Sequence, residues 1–363
     1  MYQILVINPG STSTKVAVFE DENEILSENI HHAAQQLSHF NDILGQYQFR
    51  LEAIESILSK SSYDLVDFDA FVGRGGLLRP IPSGTYVVND CMIDDLRAGV
   101  QGEHASNLGA ILVKELGNKY NRPAFIVDPV VVDELEPVAR LSGHPLLPRK
   151  SIFHALNHKA VARKAARQLN LSYEKVNLII AHLGGGISIA AHCNGLVVDV
   201  NNALDAEGPF TPERSGTLPA GDLVRFCYNG AQSRDSVLKM IKGAGGMTAY
   251  LGTNDMRVAE KNIDDGDNFA ALVIDAMIYQ VSKEICSLAA VFYGKVDGLV
   301  LTGGIAHSRR FVEGVKSRCS FLAPIFEFPG EQEMEALALG ALRILKGVEE
   351  AKEYPCEAAL VDE

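Results

Sequence analysis

Two stretches of this chain share one pattern of apolar and polar positions. The first runs Gln3-Ile4-Leu5-Val6-Ile7-Asn8-Pro9-Gly10-Ser11-Thr12-Ser13-Thr14-Lys15-Val16-Ala17-Val18-Phe19: an apolar strand, a polar turn with glycine, and a second apolar strand. The second runs Asn177-Leu178-Ile179-Ile180-Ala181-His182-Leu183-Gly184-Gly185-Gly186-Ile187-Ser188-Ile189-Ala190-Ala191 in the same order. Each continues through a polar turn (20–23 and 192–195) into a third apolar segment, 25–30 and 196–200. The spacing repeats after about 174 residues, which implies an internal duplication. A glycine-rich turn between strands exposes backbone N–H groups with no Cβ in the way, a cradle suited to phosphate oxygens. A single copy would be read as an ordinary hairpin; two copies predict a pair of phosphate loops facing each other.

Between and after these meanders the pattern alternates. Leu44, Tyr47, Leu51, Ile54 and Leu58 recur at three- and four-residue spacing and predict a helix within 40–59. Short apolar strands are expected at 69–72, 86–88 and 124–127, with helices at 90–100 and 104–116. A helix is predicted over 153–169. Residues 205–219 carry Pro209, Pro212 and Pro219 and cannot be regular. Two or three helices fit between 222 and 261. Residues 267–293 are apolar nearly all round, the mark of a helix buried between layers. Strands at 296–301 and 324–328 precede a last helix at 333–346, and the charged tail beyond Gly347 is expected to fray. Strands alternating with helices give an α/β class.

Length and charge narrow the reading. At 363 residues the chain suits two domains, 1–150 and 151–330, with 331–363 returning to the first. Lys and Arg number 33 against 46 Asp and Glu, a net −13 that disfavours nucleic acid and acidic membrane as partners. No apolar run reaches membrane-spanning length and Met1 opens no signal peptide, so a cytoplasmic location is expected. The six cysteines show no C-x-x-C spacing and read as reduced thiols. The Walker-A, H-E-x-x-H, G-x-S-x-G and protein-kinase glycine-loop motifs are all missing.

Several residues suit phosphate chemistry. Asn8, Ser11, Ser13 and Lys15 alternate through the first turn, placing hydroxyls and an ammonium on one side. Arg74 stands between glycines after a buried strand, as an anion clamp or a surface-turn arginine. Arg214 projects from the proline-stiffened loop, free for a phosphoryl group or paired with Glu207 or Glu213. Asp128 ends a strand before Pro129, where open α/β sheets build sites and where Asp-Pro also starts turns. His154 and His158 lie one helical turn apart without a third zinc ligand. His154 reads as a hydrogen-bond donor at a site, His158 as structural. Thr302-Gly303-Gly304-Ile305 allows close backbone approach to a nucleotide. Asp255, Arg257 and Glu333 taken singly are a helix cap, a surface charge and a dipole partner.

Together these segments resemble the acetate, propionate and butyrate kinase family, closest to its butyrate kinase branch. That family belongs to the superfamily of sugar kinases, chaperone ATPases and actin. The marks are 6–15, Val72-Gly73-Arg74-Gly75-Gly76, Ile152-Phe153-His154 with His158, Ala181-His182-Leu183-Gly184-Gly185-Gly186 and Leu301-Thr302-Gly303-Gly304. The resemblance implies two duplicated ribonuclease-H-like domains of actin-like ATPase type with a cleft between them. It implies Mg²⁺-dependent, reversible, direct in-line transfer from ATP to a short-chain fatty acid, giving ADP and an acyl phosphate. Butyrate or a branched analogue is expected because Gly185 and the short Arg74-Gly75-Gly76 segment depart from the acetate kinase pattern. Acetate, propionate or branched-chain acids are the alternatives. A sugar kinase, and a nucleotide-gated interaction protein of chaperone or actin type, are the more distant ones.

By the resemblance Asn8, Ser11, Ser13, Lys15, His182, Gly184, Gly185 and Gly186 bind phosphates. Asp255, Arg257, Gly303, Gly304 and Ile305 line the nucleoside. Arg74, Asp128, His154 and Arg214 are catalytic. Asn8, Asp128 and Glu333 support the metal, with Glu331 and Glu335 as neighbours of the last. A homodimer or higher homo-oligomer is implied.

Overall fold

A computed structural model describes residues 1–356. The chain forms two compact units: Met1–Val132 with the chain from Gln332 onward, and Asp133–Glu331. The part of the expected return segment at 357–363 lies outside the described residues.

In the first unit β1 (Gln3–Pro9), β2 (Ser13–Glu20) and β3 (Asn23–His31) form the antiparallel meander, and β4 (Ala70–Arg74) joins β1 in parallel. β5 (Thr85–Val87), β6 (Ala124–Val127) and a strand at Lys352–Glu353 complete one sheet. Its order is Lys352–Glu353, β5, β6, β4, β1, β2, β3. β1 is apolar on both faces because both are covered. Leu5, Ile7, Phe71 and Ile126 share a core with Leu108, Leu112 and Leu116 of the helix Asn107–Tyr120. Val127, on the alternate face, meets Gly340 of the helix Glu333–Leu345.

The second unit repeats this plan. β7 (Asn177–Leu183), β8 (Ile187–Cys193) and β9 (Leu196–Val200) are the meander, β10 (Gly298–Gly303) runs parallel to β7, and β11 (Ile325–Pro329) parallel to β10. A register shift falls between Val18 and Phe19 in one meander and between Ala191 and His192 in the other. Ile179, Ala181, Leu183, Ile187 and Ile189 face the long helix Asn268–Leu288, while Leu178 and Ile180 face the helix Ala155–Gln168.

Several expectations need correction. The segment 133–150 belongs with the second half: Glu134 binds Lys159 at 2.7 Å, and Arg149 binds Glu207 at 2.5 Å and Asp199 at 2.8 Å. These are charges whose partners lie far along the chain. The described part of the tail is docked rather than frayed: Lys352–Glu353 pairs with β5, and Tyr354, 1% exposed, donates to Asp95 Oδ2 at 2.6 Å. That docking brings Cys356 to Cys91, and the two are disulfide-bonded across 265 residues of sequence rather than reduced. The helix Asn268–Leu288 is covered on one side only, with Phe269, Leu272 and Tyr279 exposed, because a single sheet face needs a single stripe. Four helices, not two or three, lie between 220 and 264.

Two consequences can be measured. β4 and the helix Asn107–Tyr120 touch backbone to backbone: a Cβ at Gly73 would overlap the Gly109 carbonyl, and one at Gly109 that of Arg74. Gly109→Ala should therefore cost about 1–3 kcal/mol and displace the end of β4 that carries Arg74; a urea midpoint equal to wild type would contradict this. The second consequence concerns protons. Burial lowers His158 and His192 well below 6.5, the first helped by His182 and the second by His158, and burial with Arg50 takes His32 to about 4. Unfolded histidines protonate near 6.5 whereas these folded ones resist. Stability is thus full above that value and falls with pH below it, by about 1.4 kcal/mol per pH unit for each group until its folded value is reached. Urea midpoints between pH 7 and pH 5 should show this slope, and His192→Gln should make it shallower.

Candidate active site

In the first unit the turn after β1 is held from behind. Thr14 points into the core, where its Oγ1 lies 2.9 Å from His32 Nε2. Arg50, fully buried on the helix Tyr47–Leu58, donates to Thr14 Oγ1 and to the Ser13 carbonyl at 2.9 Å, and to the Ser11 carbonyl at 3.3 Å. Sequence reasoning missed Arg50. Its signal was there: an arginine three residues after Tyr47 and four before Ile54 sits in the apolar stripe. With Thr14 turned inward, Ser11 and Lys15 are exposed and Ser13 half-buried.

Three expected residues meet at the strand ends of this unit. Asn8 Nδ2 donates to Glu333 Oε2 at 2.7 Å, and Arg74 Nη1 donates to the same oxygen at 2.8 Å and lies 3.4 Å from Asn8 Oδ1. Of the neighbouring glutamates, Glu333 is the one held by Asn8 and Arg74, while Glu331 falls in the other unit. Asp128, 3% exposed, accepts from the Gly84 N–H at 2.7 Å, so its carboxylate stabilises a turn at a backbone φ of 38°.

In the second unit the two strands beside the glycine turn bury polar side chains on one face. His182 and Ser188 are register partners on β7 and β8, and His192 lies on the same face of β8. The helix Ala155–Gln168 and its N-terminal residue answer them. His182 Nδ1 donates to Asn157 Oδ1 at 2.9 Å, and the His154 ring stacks on His182 with centroids 3.8 Å apart and planes 9° from parallel. His158 is structural in placement, wholly buried between Ser188 and His192.

The turn itself shapes the site. Gly184 N–H donates to the Gly186 carbonyl at 3.1 Å, and Thr211 Oγ1 donates to the Gly185 carbonyl at 2.6 Å, tying the proline-stiffened loop to the turn. The Arg214 guanidinium lies where a Gly186 Cβ would be and donates to the Ala203 carbonyl. It forms no ion pair with Glu207, which Arg149 takes, or with Glu213, which receives Asn254 Nδ2 at 2.6 Å. Burial lowers the Arg214 pKa, opposed by Glu213 and Asp205. A guanidinium so placed stays charged and is available to an anion.

A cleft of about 830 Å³ in this unit is lined by Gly184, Gly185, Asp255, Arg257, Gly304 and Ile305, all expected at the nucleotide. Its size is that of a small-ligand site. Asp255 caps the helix Met256–Asp264, with Arg257 Nη2 on its Oδ2 at 2.7 Å, and hydrogen bonds from Arg257 hold its carboxyl at about 2. Gly303 is buried at the end of β10, and Gly186 and His182 are also outside the lining. Asn254, Glu260, His307, Ser308 and Glu331 line it too. Sequence reasoning missed the first four, because each is a common loop or helix residue, and had Glu331 only as a neighbour of Glu333 at the metal.

Known proteins resemble the chain throughout. The model of the Acetokinase family matches residues 134–322. Butyrate kinase 2 of Clostridium acetobutylicum is 54% identical over 353 residues, covering 97% of this chain and 99% of its own. Among solved structures, the acetate kinase of Porphyromonas gingivalis superposes with a TM-score of 0.79 at 20% identity, over 95% of this chain and all of its own. A propionate kinase of Francisella tularensis gives 0.73 at 20% identity, over 94% and 99%. The fold is that of these kinases, the actin-like ATPase α/β architecture. The family match over 134–322 and the 54% identity over nearly the full length establish that the chain belongs to the acetokinase family.

Proposed function

We propose that this kinase reversibly transfers the γ-phosphoryl group of ATP to the carboxylate of a short-chain fatty acid, butyrate or a branched analogue, giving ADP and an acyl phosphate. The observation that carries the reading is the Arg214 guanidinium lying across Gly186 of the glycine turn, next to the nucleotide-sized cleft. The 54% identity to a butyrate kinase supports a four-carbon acid over acetate or propionate. A carboxylate is already an anionic nucleophile, so no strong base is required. The barrier is the approach of two anions, and catalysis is positioning plus charge neutralisation in a direct in-line transfer.

Each group has a role in that scheme. Gly184 and Gly185 present backbone to phosphate oxygens, while Asp255, Arg257, Gly304 and Ile305 border the nucleoside. Arg214 neutralises charge on the moving phosphoryl group and His154 donates a hydrogen bond to it. In the first unit Lys15, Ser11 and Ser13 serve phosphates, and Arg74 the acyl carboxylate. Mg²⁺, when bound, neutralises phosphate oxygens. Asn8 and Glu333, with Asp128, would hold it, and a sparse set of oxygen donors suits an ion that keeps most of its water. Among the described residues no helix is long and apolar enough to cross a membrane. A homodimer or larger homo-oligomer fits the uncovered Phe269, Leu272 and Tyr279.

Hydroxylamine trapping across two- to six-carbon acids tests the reaction, since only an acyl phosphate yields a hydroxamate. Four-carbon acids should give the highest kcat/KM, with neighbours overlapping because a methylene is worth only about 1–3 kcal/mol. Arg214→Ala should lower kcat by about 10³-fold or more while KM for ATP changes little. Near-normal turnover would remove Arg214 from the site, and no hydroxamate with any acid would overturn the function.

A further inference from the structure

Behind His154 a line of buried hydrogen-bonding side chains runs back through the second unit. His154 Nδ1 lies 2.8 Å from Ser188 Oγ, and the same hydroxyl lies 2.9 Å from His158 Nε2. His158 Nδ1 is 3.2 Å from His192 Nε2, with the two rings 3° from parallel, and His192 Nδ1 is 2.7 Å from the Tyr173 hydroxyl. Ser188, His158 and His192 are fully buried and Tyr173 is 5% exposed. In the stacked pair His154 and His182, Asn157 fixes the tautomer of His182 and Ser188 touches His154.

We propose that Tyr173, His192, His158 and Ser188 are positioning residues that set the tautomer of His154, leaving its Nε2 as an N–H donor for the phosphoryl group. This rests on the donor role given to His154 above. The argument is proton counting. A neutral imidazole carries one N–H and one lone pair, so the direction of one link fixes the others through His192 and His158; the Ser188 hydroxyl, in reach of both rings, then spends its one O–H on the ring that does not donate to it. If Tyr173 donates to His192 Nδ1, then His192 Nε2 donates to His158 Nδ1, and His158 Nε2 donates to Ser188 Oγ. Ser188 in turn donates to His154 Nδ1, and His154 must carry its proton on Nε2. The reverse order would make His154 Nε2 a lone pair facing phosphate oxygens, which is repulsive.

Two features select the first direction. A phenol donates to a neutral imidazole more readily than it accepts from one. The ammonium of Lys159 and the guanidinium of Arg163 lie 5.6 Å and 5.4 Å from the Tyr173 ring centroid, and positive charge on that side disfavours a His192 Nδ1–H pointing toward it. Burial keeps His158 and His192 neutral, so each link holds one proton and the chain has a definite direction.

The test uses the full chain labelled with ¹⁵N-histidine, its His154 signals assigned by comparison with His154→Gln. Long-range ¹H–¹⁵N correlation should show wild-type His154 protonated on Nε2 and unprotonated on Nδ1. Tyr173→Phe should populate the other tautomer of His154 and lower kcat roughly 10- to 100-fold, with KM for ATP within about twofold. Ser188→Ala, which cuts the link next to His154, should do the same and decides the matter if Tyr173→Phe does not fold. A wild-type His154 protonated on Nδ1, or variants that change neither tautomer nor kcat, would overturn the proposal. The tautomer is read without substrate, so a chain that makes no hydroxamate sinks the functional reading separately.

Discussion

Two adjacent strands cannot bury His182, Ser188 and His192 on one face unless something supplies their hydrogen bonds. Each is at most 1% exposed, and a buried polar group left unmade costs roughly 1–3 kcal/mol. The helix Ala155–Gln168 and its flank supply them: His154, Asn157 and His158 lie within about one turn, and Tyr173 arrives from the loop beyond. This requirement admits one depth and one rotation of the helix on the sheet. A helix packed by Val161, Ala162 and Ala165 alone could slide; one that must also meet three polar side chains cannot. The glycine turn inherits that rigidity because it begins one residue after Leu183, within the same strand pair.

The first unit solves the same problem with other residues. Thr14 is buried near the turn end of β2, and Arg50 and His32 answer it from a helix and a strand end. Both halves therefore brace the turn of the meander from the core side with polar groups. The shared sheet order and the shared place of the register shift argue that duplication preserved the backbone plan while the bracing residues diverged.

What was legible in the sequence followed from periodicity and turn chemistry. Apolar runs broken by glycine located both meanders, and the alternation of Ser11, Ser13 and Lys15 against Thr14 matches their burial. The grouping of Asn8 with Glu333 was not legible from spacing, because 325 residues separate them and only the sheet brings them together. The same holds for Cys91 with Cys356 and for Arg149 with Glu207: long-range pairs leave no local signature. Arg50 was hidden differently. An arginine in an apolar stripe reads as a snorkelling surface residue until the carbonyls it serves are seen. Phe269 and Leu272 show the opposite error, since apolar composition does not say how many faces are covered.

The mixture of neutral and charged donors has its own logic. A site that held anions by cationic charge alone would grip ATP, ADP and acyl phosphate alike, and uniform binding of that kind does not lower the chemical barrier. Neutral imidazole N–H groups act differently. They attract weakly at a distance and strongly only where an oxygen with growing charge sits on the donor axis, so their effect concentrates in the transferring state. Burial favours the neutral form of the histidines behind His154, and in the proposed scheme the chain of single protons keeps the donor aimed. With a net charge of −13 over the whole chain, long-range attraction for an anionic substrate is weak to begin with. Recognition then depends on short-range geometry, which is where the proposed role of the second unit's polar bracing lies.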